Sequence, residues 1–272
     1  MQLSGADMSE KSGKNNKYDA LIFDVDGVLL DVSRSFPEVI RRSIRDGFVS
    51  FCGGETDSEG YTPEHEKILK LHGAFNDDYD LAWSLLSMAA ADGSKRLSQA
   101  FPPPKKLAEE LKTFSGSVEE WTLARYGALI PRKEFRKYCD DLYLGTKDSK
   151  GLHLLETPQI HAKWNELPLP VGLYTGRDRK EIACAYESLG WQPLPEENVI
   201  HRETGICKPS PKGLEILCER FGAENPLYFG DTASDLMAFN AFGKGAFAAI
   251  GGLLTETANS FADCDEALEK LL

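Results

Sequence analysis

The chain lacks any apolar stretch approaching the ~20 residues of a membrane-spanning helix. It also lacks an apolar signal core near its start, where Met1 to Lys17 is polar and Lys11, Lys14 and Lys17 lie among Ser, Gly and Asn. A membrane partner is excluded on this pattern, and a cytoplasmic protein with a disordered tail over residues 1–17 is expected. No CxxC pair occurs among the six cysteines, Cys52, Cys139, Cys184, Cys207, Cys218 and Cys264, which argues against a disulfide framework. Cys184 and Cys218 fall in apolar patterns, as buried reduced thiols do. Positive charge is in deficit: 31 Lys and Arg against 43 Asp and Glu leave a net charge of −12. Such a surface repels a phosphate backbone and excludes nucleic acid as the expected partner. A small phosphorylated molecule can still bind where a metal and one or two cations neutralise it. No internal repeat is present. With 272 residues and 42% apolar content, the chain can bury the core of one large domain or two modest ones.

What is present begins with Asp24-Val25-Asp26-Gly27, directly after the run Tyr18-Asp19-Ala20-Leu21-Ile22-Phe23. If that run is a strand, Asp24 and Asp26 project from one face. They do so at the carboxyl end, where open α/β sheets place their ligands. Two carboxyls so close suit a division between nucleophile with metal ligand and proton carrier. A calcium loop fails on spacing: with Asp24 as position one, the fifth is Val28, the sixth Leu29 and the twelfth Ser35. A plain acidic turn stays open on these four residues.

The rest of the chain divides by pattern. Between residues 36 and 150 almost no period-2 alternation occurs. Helices are expected at Phe36 to Phe48, from Thr62-Pro63-Glu64-His65 onward, and at Asp77 to Ala91, Lys105 to Phe114, Ser117 to Tyr126 and Pro131 to Leu144. After about residue 150, strand-like runs alternate with helices. The strands are Leu167 to Tyr174, Asn198 to His201, Pro226 to Phe229 and Ala246 to Ile250. The helices are Asp178 to Leu189, Ser210 to Phe221 and Ser234 to Phe242. This alternation implies a parallel sheet covered by helices.

Three further groups lie at or beyond strand ends. Thr175-Gly176 offers a hydroxyl and a backbone N–H, both donors to a phosphoryl oxygen. Lys208, before Pro209, can neutralise a phosphate and the Asp24 carboxylate. Gly230-Asp231-Thr232-Ala233-Ser234-Asp235 adds two acids, one able to join Asp24 on a metal and the other to orient those ligands and Lys208. Singly, these read as a turn, a solvated lysine, a loop acid and a first-turn helix acid. Together, in one order and each beyond its own strand, they form a phosphate-handling set.

That set resembles the haloacid dehalogenase-like (HAD) hydrolase superfamily. The resemblance rests on Asp24-Val25-Asp26-Gly27-Val28, Thr175-Gly176-Arg177, Lys208-Pro209 and Gly230 to Asp235. It implies an α/β fold with a Rossmann-like parallel-sheet core over 18–33 and 153–272. The inserted all-helical block, 34–152, is similar to the cap of subfamily I (IA-like) phosphatases. The resemblance further implies that Asp24 attacks phosphorus to form an aspartyl-phosphate while Asp26 serves as acid and then base. Mg²⁺ would be held by the Asp24 side chain, the Asp26 backbone carbonyl and Asp231, with Asp235 as the further acid of the metal set. Thr175, Gly176 and Lys208 would bind the phosphoryl oxygens. Arg177 either faces the cleft as a further phosphate or substrate ligand or lies on the surface. In the cap, Asn76 within Phe75-Asn76-Asp77-Asp78-Tyr79-Asp80 is either a substrate ligand or a helix cap with Asp77 and Asp78 in the first turn. Trp83 and Trp121 are expected in the cap core.

The expected substrate is a small phosphorylated metabolite, a sugar- or glycolate-type monoester. Asp26 speaks against the dehalogenase branch, which lacks that acid. A sugar phosphomutase on the same core and a non-catalytic ligand-binding protein are the alternatives. Nothing in the chain sets an oligomeric state.

Overall fold

A computed structural model describes residues 17–272 apart from 59, 73, 76, 255, 256 and 258. The chain opens with β1 (Leu21–Phe23) and β2 (Leu30–Asp31). Among the described residues six α-helices follow: α1 (Phe36–Cys52), α2 (Pro63–Leu71), α3 (Asp78–Asp92), α4 (Pro104–Leu111), α5 (Val118–Tyr126) and α6 (Arg132–Leu144). The return strand β3 (Thr157–Pro158) pairs antiparallel with β2. Then come β4 (Val171–Tyr174), α7 (Arg179–Leu189), β5 (Val199–Ile200), α8 (Lys212–Phe221), β6 (Leu227–Gly230), α9 (Ala233–Phe242), β7 (Ala246–Ile250), β8 (Ser260–Phe261) and α10 (Cys264–Leu271).

The large sheet has the order β5-β4-β1-β6-β7-β8. Every neighbouring pair is parallel. Chain progression reverses at β1, which lies between β4 and β6, so the loops leaving these three strands diverge and open a crevice at their carboxyl ends. The period-2 geometry of the strands sorts their side chains onto two covered faces. Leu21, Phe23, Leu173, Leu227 and Phe229 pack on one side; Ile22, Tyr174, Tyr228 and Ala249 pack on the other. Burial on both faces explains why these strands read as continuous apolar runs. Phe23 and Phe229 stack at 4.4 Å between ring centroids.

The helical block has its own core around α3, whose residues from Tyr79 to Ala89 are buried, with Asp80 as the partly exposed exception. A helix apolar nearly all round must lie inside. Trp83 and Trp121 belong to this core, and the Trp83 indole N–H donates to the Ile130 carbonyl at 3.0 Å. Each fully buried Leu or Phe here stabilises by about 1.5–3 kcal/mol, which lets the insertion hold its shape. Among the described residues no helix is long and apolar enough to cross a membrane.

Two differences from the sequence reading have simple causes. Pairing of β4 begins at Val171 rather than Leu167, because Pro168 and Pro170 have no N–H to give a ladder; the Pro170 carbonyl still accepts from the Leu21 N–H at 2.9 Å. The ribbon β2–β3, β8 and α10 were not foreseen, since two-residue strands carry no alternation to read.

Candidate active site

Asp24 leaves the end of β1 and its N–H donates to the Phe229 carbonyl of β6 at 2.9 Å. Its side chain is buried. Lys208, in the loop before α8, brings its Nζ to 2.8 Å from Asp24 Oδ1. This is an ion-pair contact outside hydrogen-bond alignment. The same ammonium donates to Asp235 Oδ1 at 2.6 Å. Asp231, just past β6, completes a group of three acids whose nearest oxygens lie within 4.8 Å of one another. Gly27 makes this approach possible. It has φ +71°, and a Cβ there would sit 2.2 Å from Asp231 Oδ2, so a side chain would expel the carboxylate as well as strain the turn.

Burial sets the electrostatics. It pushes the Asp24 carboxyl up to about 7; Lys208 opposes that rise while Asp235 and Asp26 add to it. Burial likewise raises Asp231 well above the carboxylate range, helped by Asp235 and Asp24. For Lys208, burial opposes the charge, but Asp235 and Asp24 outweigh it and hold the ammonium charged. Asp24 Oδ1 and Asp231 Oδ1 are buried without a hydrogen-bond partner. Orphaned, oxygen-only acceptors carrying excess negative charge are what a hard divalent cation requires. Asp235, expected among the metal ligands, belongs to this group and is also heavily hydrogen-bonded. Its Oδ1 accepts from Lys208 and the Tyr228 hydroxyl, and its Oδ2 from the Thr232 N–H at 3.1 Å and hydroxyl at 2.5 Å. Four donors occupy both oxygens, and one of them is the Lys208 ammonium, which Asp235 holds in place.

Thr175 is buried at the end of β4, and its hydroxyl accepts from the Arg177 N–H at 3.2 Å. Gly176 lines the same cavity as Asp24, Asp26, Lys208 and Asp231, with a volume of ≈ 90 Å³. Arg177 is not on the surface but lines the same cavity. It is 1% exposed. Its Nε and Nη2 donate to Asp26 Oδ1 at 2.8 and 2.5 Å, Nη2 also to Glu156 Oε2 at 3.0 Å, and Nη1 to the Glu181 carbonyl at 3.0 Å. A buried guanidinium takes the nearest carboxylates because an unpaired one would cost several kcal/mol.

The family model of haloacid dehalogenase-like hydrolases matches residues 18–243. The chain belongs to that family. No curated protein is matched by this hydrolase. Solved structures share its fold. The phosphatase Tt82 from Thermococcus thioreducens is 24% identical, with 92% of this chain and 98% of that one covered and a TM-score of 0.63. A hydrolase from Pseudomonas syringae is 13% identical over 93% and 97%, with a TM-score of 0.56.

Facing the sheet edge of this HAD-like hydrolase, the helical block supplies Lys70, Phe75, Asp78 and Tyr79 to the cavity wall. Lys70 Nζ lies 3.1 Å from Asp78 and 3.3 Å from Glu66. The Tyr79 hydroxyl is buried without a partner. Arg202 ties the two parts together, donating to Asp77 Oδ2 at 2.9 Å and Asp178 Oδ2 at 2.8 Å. Asn76 lies outside the described residues. The helix cap foreseen at that position is provided by Asp77, whose Oδ1 accepts from the N–H groups of Tyr79 and Asp80. Sequence reasoning missed Lys70, Tyr79 and Glu156. Lys70 and Glu156 lie outside every motif, and only the acidic run around Asn76 pointed near Tyr79.

Proposed function

We propose that the chain is a Mg²⁺-dependent phosphatase acting on a small phosphorylated metabolite, a sugar- or glycolate-type monoester, with residues 34–152 as a cap over the site. The observation that carries this reading is the cluster of Asp24, Asp231 and Asp235, with the Asp231 Oδ1 buried and unpartnered and the buried Lys208 ammonium 2.8 Å from Asp24. Three acids around one ammonium suit a divalent cation, whose charge would in turn suit a phosphoryl group. The name of the Thermococcus protein, a phosphatase, accords with it.

In this reading an Asp24 carboxylate oxygen attacks phosphorus and the ester P–O bond breaks. Asp26 gives its proton to the departing alcohol. A water then attacks the aspartyl-phosphate while Asp26 takes the proton back, releasing inorganic phosphate. The Thr175 hydroxyl, the Gly176 N–H and the Lys208 ammonium hold phosphoryl oxygens, and Asp235 keeps Lys208 in place. Asp24, the Asp26 backbone carbonyl and Asp231 would hold the Mg²⁺, whose charge would offset that of the transferring group.

Purified protein should release phosphate from 4-nitrophenyl phosphate and from members of a metabolite panel, with activity lost to EDTA and restored by Mg²⁺. No turnover on any substrate above the level of Asp24→Asn would overturn the reading.

A further inference from the structure

A buried ionic triad, unused so far, stands behind Asp26. Glu156 has a side chain with 0% exposure and lies on the return connector from the helical block, just before β3. Its Oε2 accepts from Arg177 at 3.0 Å. Its Oε1 accepts from the Ser35 hydroxyl on the outgoing connector at 2.9 Å and from the Tyr143 hydroxyl of α6 at 2.9 Å. The Phe36 and Tyr143 rings stack at 4.7 Å, and the guanidinium carbon lies 5.4 and 5.9 Å from their centroids. Arg177 is therefore held by two carboxylates, a carbonyl and two aromatic faces, and has one orientation available.

The contact with Asp26 is asymmetric. Both guanidinium donors reach Oδ1. Among the described residues no hydrogen bond is made to Oδ2, while the Asp26 side chain keeps 31% exposure and lines the cavity. A carboxylate pinned by one oxygen presents the other in a fixed direction, and positioning of this kind determines how well a proton carrier works. Buried ion pairs contribute little net stability relative to apolar replacements, so a triad of this depth calls for a role beyond folding.

We infer that Arg177, oriented by Glu156, is the positioning residue that aims Asp26 Oδ2 at the leaving oxygen, so that proton delivery to the alcohol depends on both. The inference rests on the phosphatase reading. It commits Arg177 to proton transfer rather than to phosphate binding, and it makes Glu156, 132 residues from the aspartate pair's start (156 − 24), part of the machinery for leaving-group departure.

The test is leaving-group selectivity. An alkyl phosphate leaves as a poor alkoxide and needs a proton; 4-nitrophenolate leaves without one. The constant kcat/KM reports steps up to loss of the alcohol and so isolates this proton from the later hydrolysis. For Arg177→Met, kcat/KM on the best alkyl substrate should fall about 10²-fold or more, and on 4-nitrophenyl phosphate less than about 10-fold. Glu156→Gln should move the ratio in the same direction by less. Arg177→Lys should restore part of it, and Asp26→Asn sets the limiting ratio. If Arg177→Met does not fold, Glu156→Gln and Arg177→Lys decide, checked by thermal melting. Equal losses on both substrates in folded variants, with an active wild type, overturn this inference alone. A wild type silent on both substrates overturns the phosphatase reading and this inference with it.

Discussion

Lys208 and Arg177 each sit between one aspartate of the β1 loop and a second acid with a fully buried side chain. The triads are Asp24–Lys208–Asp235 and Asp26–Arg177–Glu156. Their anchors differ. Every member of the first comes from a loop or first turn at the sheet edge, and the ammonium leaves Asp24 Oδ1 without an aligned hydrogen bond. The second reaches into both connectors of the helical block through Ser35 and Glu156, and its guanidinium saturates one oxygen of Asp26. A compact ammonium suits a site where charge must be shared with an incoming phosphoryl group; a planar fork fixes a direction. In the proposed mechanism the same elements, a cation between two acids, thus serve as a charge-stabilising corner and an orienting corner on one loop.

The sharpest break between the two corners is chemical. Asp24→Asn should lower phosphate release by about 10³-fold or more on every substrate, alkyl or aryl, whereas Asp26→Asn should spare aryl substrates in kcat/KM. Steady-state assays on both classes check this.

Removing the cations compares the corners by stability. Lys208→Met leaves Asp24 buried without its cation, while Asp235 keeps the Tyr228 and Thr232 donors, at a cost of about 3–5 kcal/mol. Arg177→Met should cost less, because Glu156 likewise keeps two hydroxyl donors and Asp26, unlike Asp24, is partly solvated. Urea denaturation at fixed pH gives both values; the reverse order would contradict the comparison.

The acid cluster of the first corner predicts a pH dependence, to which Glu181, raised to about 7 by burial, adds. Asp24 is raised from 3.8 to about 7 and Asp231 is raised too, so the folded state binds protons more tightly than the unfolded chain. Stability from this source is complete below about pH 4 and is lost as the pH rises through 7. Without metal, the Tm should fall between pH 5 and 8, by an amount corresponding to roughly 2 kcal/mol. Mg²⁺ should restore it at pH 8 but not at pH 4. Asp231→Asn should raise the metal-free Tm at pH 8 while abolishing activity.

The smallest effect concerns the link between the parts. Arg202→Ala removes the bridge from Asp77 to Asp178 and should cost about 1 kcal/mol. It should raise KM more than it lowers kcat, since Arg202 touches neither aspartate of the β1 loop.

The parallel sheet was legible because both its faces are covered, which leaves runs such as Leu21-Ile22-Phe23 and Leu227-Tyr228-Phe229 apolar throughout. Asp24, Thr175, Lys208 and Asp231 were legible because strand ends in such a sheet converge on one edge. The contact of Asp235 with Lys208 was legible, whereas the pairing of Arg177 with Asp26 and Glu156 was not, since a side chain's partners are not a local property. Glu156 and Lys70 carried no signal at all, since a buried glutamate reads in sequence as a surface one, and Tyr79 was marked only by the acidic run around it.

Local chain chemistry thus determined that two carboxylates end the first strand, that helices fill the insertion, and that hydroxyl, lysine and acid follow later strands. Only the tertiary structure decided which cation serves which aspartate. Arg177 meets Asp26 across 151 residues, and Glu156 meets Ser35 across 121. Such pairings follow from the way burial forces each charge onto the nearest opposite one once the sheet and the helical block have closed around it.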